Sequence, residues 1–119
     1  MPKANQSFEE LWRIYINGPK DGDDFQIFTL GACYKAATTF NEFAQIFHAT
    51  MSTLNTVQYC SLGSARVGSL KAMIRLASNE KEARRAFNEA SKKKRDGKYY
   101  FPTRVKEAKA KLETFQKAA

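Results

Sequence analysis

Three times along this chain a short polar residue is followed, three positions later, by a glutamate at the head of an apolar run: Ser7 with Glu10, Thr39 with Glu42, and Asn79 with Glu82. In this spacing the small side chain accepts a backbone N–H from the first turn of a helix, and the carboxylate reaches back to the N–H at the cap. Two donors that a helix start leaves unpaired are thereby satisfied. Repeated starts of this kind in 119 residues leave little chain for a sheet. They predict an all-α fold, a compact bundle of five or six short helices forming a single domain over 1–119.

Between the starts, apolar residues recur at helical spacing. The first helix carries Leu11, Trp12, Ile14, Tyr15 and Ile16 and stops at Asn17-Gly18-Pro19, where glycine suits a left-handed cap and proline cannot extend the ladder. Residues 20–24 form a loop without the ligand alternation of a calcium site, so Asp23 or Asp24 is read as a helix cap. Residues 25–30 are compatible with a strand, but Ala32, Ala36 and Ala37 favour helix throughout 25–37. Phe40, Phe43, Ala44, Phe47, Met51 and Leu54 make a stripe that belongs in a core. The small residues of 63–69 either break a long helix or admit another part of the chain at close range. They lack the lysine of a phosphate loop, since Gly68 is followed by Ser69 and Leu70.

A helix resumes by Ala65 with Val67, Leu70, Ile74 and Ala77 inward and Arg66, Lys71 and Arg75 outward. After Asn79 the inward residues are Ala83, Phe87 and Ala90, and Lys92-Lys93-Lys94-Arg95 is expected to close that helix before Asp96-Gly97. Thr103 is expected to cap a last helix with Val105, Ala108, Leu112 and Phe115 inside. The core so predicted includes Leu11, Trp12, Phe40, Phe43, Phe47, Leu54, Leu70, Ile74, Phe87 and Leu112. No internal repeat or linker is expected to divide the chain.

Catalytic material is sparse. His48, the only histidine, lies beside the phenylalanine stripe and reads as a satisfied, partly buried side chain, and Cys33 and Cys60 read as buried free thiols rather than metal ligands. No enzyme, metal or cofactor is expected. The first six residues lack the apolar segment of a signal peptide, and no run reaches the roughly 18 apolar residues of a membrane span. The expected compartment is the cytoplasm, with no membrane partner.

Charge is more informative. Residues 1–60 hold four Lys/Arg against six Asp/Glu, whereas 61–119 hold sixteen against six. So many like charges repel one another in a folded unit, and a polyanion is the simplest partner for them. Lys81, Arg85, Asn88, Lys92 and Arg95 succeed one another at steps of four, three, four and three, the spacing of one helix face. The predicted binding surface is Arg66, Lys71, Arg75, Arg85, Lys92, Lys94, Arg95, Arg104 and Lys109, with Tyr99 and Tyr100 as stacking platforms. Cations beside aromatics suit unpaired bases, so single-stranded DNA or RNA is the expected ligand. Duplex binding by a helix-turn-helix ranks lower, because the residues ahead of Asn79 do not spell a three- or four-residue turn.

In general type, as a small, basic, helical and non-catalytic protein, the chain is similar to the small subunit that lines the nucleic-acid channel of CRISPR interference complexes, and to phage and viral nucleic-acid binders. No residue role follows from that likeness. It does imply other protein subunits, or copies of the same chain, as partners. The competing expectation is a helical protein-interaction module that docks on an acidic partner or self-assembles.

Overall fold

The computed structural model describes residues 6–18, 24–52 and 59–118. They form six helices: α1 (Phe8–Asn17), α2 (Asp24–Ala36), α3 (Phe40–Ser52), α4 (Tyr59–Leu76), α5 (Glu80–Ala90) and α6 (Pro102–Ala118). The all-α expectation holds, including the helix chosen over a strand at the start of α2. Extended pairing among the described residues amounts to one isolated bridge, between Lys93 and Tyr99.

Each predicted start works locally. The Glu10 N–H donates to Ser7 Oγ at 3.2 Å. At α3 the exchange is reciprocal: the Glu42 N–H donates to Thr39 Oγ1 at 3.2 Å, and Glu42 Oε1 accepts the Thr39 and Thr38 N–H groups at 3.2 and 2.8 Å. At α5 the Glu82 N–H donates to Asn79 Oδ1 at 2.8 Å, while Glu82 Oε1 accepts from the Ser78 N–H and hydroxyl at 2.8 and 3.0 Å. Asp24 opens α2 as its first residue, and Asp23 lies outside the described residues. Gly18 ends α1 in extended backbone, φ −87°, not in the left-handed cap its type suggested.

Contacts gather the chain into two units, Met1–Ser69 and Leu70–Ala119, with the division inside α4. In the first unit α1 packs on α2 and α2 on α3. Phe8 and Leu11 are buried, and Trp12 and Tyr15 close over Leu30 and Ala49. Of the expected stripe on α3, Phe40, Phe43, Ala44 and Phe47 are buried, together with Ile46, Ala49 and Thr50, and Met51 is half-buried. Leu54 lies outside the described residues. His48 is exposed rather than partly buried, because the buried arc of α3 passes on either side of it.

α4 runs unbroken through residues 63–69, so the small residues there serve the other purpose, close approach. Tyr34 of α2 lies against Gly68, and a Cβ built on Gly68 would stand 2.7 Å from the ring carbon Cζ. That placement turns α4 relative to its expected stripe. Val67 is exposed and Arg66 is 5% exposed, its guanidinium donating to the Thr50 carbonyl at the end of α3. Arg66 is therefore a core residue, and its assignment to the binding surface is corrected: a buried cation already bonded to a main-chain oxygen cannot also track phosphates.

In the second unit Leu70, Met73 and Ile74 of α4 and Ala77 just after it are buried, and α5 packs on α6. The α5 side of that contact is built from Ala83, Ala86 and Ala90, with Phe87 half-buried; α6 buries Ala108 and Leu112. Two expected boundaries shift. α5 ends at Ala90, where the Ser91 hydroxyl donates to the Phe87 carbonyl at 2.7 Å, so the lysine run lies beyond the helix. α6 begins at Pro102, one residue before Thr103, because proline lacks the N–H that the first helical position cannot pair and its φ is already helical.

The two inter-helix turns are alike at a spacing of 40 residues, Ala37-Thr38-Thr39 with Glu42 answering Ala77-Ser78-Asn79 with Glu82. Burial follows the same spacing: Thr29 and Ser69, Leu30 and Leu70, Cys33 and Met73, Ile46 and Ala86, Thr50 and Ala90 are all buried. The two helix–turn–helix segments thus share their turn and several buried positions, while Phe40 and Ala44 are buried where Glu80 and Arg84 are exposed.

Two outcomes test this packing. Gly68→Ala should destabilise the protein by about 1 kcal/mol, as overpacking against Tyr34 exceeds the gain in helix propensity. In a Tyr34→Ala background the same change should stabilise by about 0.5 to 1 kcal/mol, and denaturant melts of the four proteins would show the reversal. Burial pushes the Cys33 thiol up from 9.0 to about 11, and also raises Tyr15, with Cys33 a lesser cause. A raised folded-state value means that the unfolded chain loses its protons first. Stability is accordingly intact below about pH 9 and falls as pH rises from 9 toward 11, and Cys33→Ala should flatten that slope in melts read across the range.

Candidate nucleic-acid interface

Fifteen of the twenty Lys/Arg residues belong to the Leu70–Ala119 unit, against six Asp/Glu. The carboxylates are mostly engaged close to home. Glu82 holds the α5 cap, Asp96 Oδ1 accepts the Lys98 N–H at 2.9 Å, and Glu80, Glu89 and Glu107 pair with Arg84, Lys92 and Arg104 at 3.2, 3.6 and 3.1 Å. Every ion pair among the described residues joins partners within four positions of each other. Such exposed local pairs leave the net field of the unit nearly unchanged.

Nine of the eleven predicted site residues are exposed; Arg104, its side chain 15% exposed and paired with Glu107, and the buried Arg66 are not. Lys71 and Arg75 are exposed on α4, Arg85 on α5 and Lys109 on α6. Lys92, Lys94, Arg95, Tyr99 and Tyr100 are exposed on the segment between α5 and α6, and Arg104 is half-buried beside Glu107. Lys71, Arg75, Arg85, Lys94, Arg95 and Lys109 form no ion pair with a described carboxylate. Arg66, in the first unit, is buried for the reason given above.

The lysine run is not a helix end but one arm of a tight hairpin. The Lys94 N–H donates to the Lys98 carbonyl at 2.8 Å, the Gly97 N–H to the Lys94 carbonyl at 3.0 Å and the Tyr100 N–H to the Lys92 carbonyl at 3.2 Å. Arg95, Asp96 and Gly97 are its three-residue tip, and Gly97 takes φ +85°, the left-handed region that such a tip requires at its last position. Because side chains alternate along paired strands, Lys93 and Tyr99 share one face and Lys92, Lys94, Lys98 and Tyr100 the other. Lys93 Nζ sits over the Tyr99 ring, 5.3 Å from its centre, and the rings of Tyr100 and Phe101 lie 6.0 Å apart. Tyr99 and Tyr100 are 39% and 37% exposed.

Lys93 and Lys98, neighbours of the predicted site residues in the same basic and aromatic segment, therefore join the surface. The signal was present: Asp-Gly between two short runs marks a hairpin turn as readily as a helix stop. Lys111, by contrast, is used internally, its ammonium donating to the Arg75 carbonyl at 3.1 Å.

No family model, curated protein or solved structure matches this chain. Among the described residues, no helix is long and apolar enough to cross a membrane, and no group of three His, Cys, Asp or Glu side chains is placed to hold a metal ion.

Gly97→Ala should strain the hairpin tip by about 1 to 2 kcal/mol, the cost of a left-handed non-glycine residue. Amide exchange would register it as faster exchange at Lys94 and Tyr100, with α1–α3 unaffected.

Proposed function

We propose that this protein binds nucleic acid through the cations of the Leu70–Ala119 unit, prefers single-stranded DNA or RNA, and catalyses no reaction on it. The observation that carries this reading is the surplus of exposed cations over carboxylates, with the carboxylates engaged in caps, turns and local pairs. Cations held in that way release counterions from a phosphate chain on binding, so affinity falls steeply with salt. The half-exposed Tyr99 and Tyr100 offer ring surface to unpaired bases, each stack being worth about 1 to 3 kcal/mol.

One small surface binds weakly alone. The protein accordingly acts as one of several copies or subunits on a strand, within a cytoplasmic nucleoprotein assembly of the general kind exemplified by CRISPR interference complexes. Ile16, Phe28 and Val67 of the first unit, 48%, 56% and 37% exposed, favour a second role in contacts with companion proteins or further copies.

Replacing Lys92, Lys94 and Arg95 together by glutamine should weaken binding of a labelled single strand at least about tenfold at low salt. The same change should lower the slope of log affinity against log salt by about 2, and leave the melting temperature nearly unchanged because all three side chains are exposed. Anisotropy titrations at several salt concentrations measure the first two quantities. Absence of salt-sensitive binding to DNA and RNA alike would sink the reading.

A further inference from the structure

The hairpin is one of two differently built contact elements in the second unit. α5 leaves α4 through a three-residue turn, Ala77-Ser78-Asn79, locked on both sides by Glu82 and Asn79. This is the short turn whose absence from the sequence pattern counted against duplex binding. A second helix presented by a short, rigid turn is the form that enters the major groove of a duplex. At 11 residues α5 is about 16 Å long, enough to lie across a groove about 12 Å wide.

The outward faces of the two helices can be compared at the same spacing. Asn41, Gln45 and His48 are the exposed positions of α3, and their counterparts 40 residues on are Lys81, Arg85 and Asn88, also exposed. The corresponding face of α5 thus carries two cations, and its inward side is Ala83, Ala86 and Ala90 with Phe87 half-buried. Arginine and asparagine at i and i+3 are the side chains whose paired hydrogen bonds match the edges of guanine and adenine. This face carries no aromatic residue for unpaired bases, whereas the hairpin that begins two residues after α5 carries two.

We propose that α5 takes paired nucleic acid and the hairpin unpaired nucleic acid, so that the preferred ligand is a duplex bearing a single-stranded tail. The proposal rests on the nucleic-acid reading above and specifies its substrate. Three labelled DNAs test it by anisotropy: a single strand, a blunt duplex of two helical turns, and that duplex with an unpaired tail. The tailed duplex should bind at least about tenfold more tightly than either of the others.

R85K/N88A keeps the charge but removes paired hydrogen bonding. It should cost about tenfold on the duplex and tailed duplex and leave the single strand unchanged. Y99L/Y100L, which keeps apolar bulk, should weaken the single strand and tailed duplex and spare the blunt duplex. A tailed duplex bound no better than the single strand overturns this proposal and leaves the parent reading standing, as does an equal effect of R85K/N88A on all three ligands. Absence of salt-sensitive binding to any of them removes both.

Discussion

The contact between α5 and α6 governs what the second unit can present. Ala83, Ala86 and Ala90 form the buried side of α5, and methyl groups let two helix backbones come close, so that many weak dispersion contacts replace the larger side chains of an ordinary core. A seam of alanines also has no room for anything longer. Arginine, lysine and asparagine on α5 occupy the positions off this seam, where burial would cost them their hydration, and so they gather on one outward face.

The acids of this unit are used locally and are too few to cancel that charge. Glu82 is committed to two donors of the Ser78 residue and Asp96 to the hairpin tip. Glu80, Glu89 and Glu107 each face a cation one helical turn away or less. Fifteen cations against six acids leave this unit with a large positive surplus whatever the local pairing.

The first unit shows the same turn under different demands. α3 buries three phenylalanines and an isoleucine where α5 buries alanines, and it keeps neutral side chains outward. Shared turn and burial positions with opposite surface chemistry separate what the pattern needs in order to fold from what its second occurrence adds. The turn, the small buried residue at 37 or 77 and several inward positions are common to both; the cations belong to the second alone.

Helix starts were legible in the sequence because a cap is made by residues three apart, and its chemistry is complete before any tertiary contact forms. The phenylalanine stripe of α3 and the basic bias after residue 60 were legible for similar reasons, one from periodicity and the other from counting. The lysine run could not be placed so, because Asp96-Gly97 can end a helix or turn a hairpin, and Ser91 decides between them through a bond to the last turn of α5. Arg66 could not be told from Lys71 or Arg75 by type or spacing. Only the approach of Tyr34 to Gly68, and the carbonyl of Thr50 waiting at the end of α3, determine that one cation goes inside while its neighbours meet solvent. Composition and local spacing thus settled the helical class and the excess of positive charge; which cations face outward was decided by packing between helices, which depends on residues far apart in the chain.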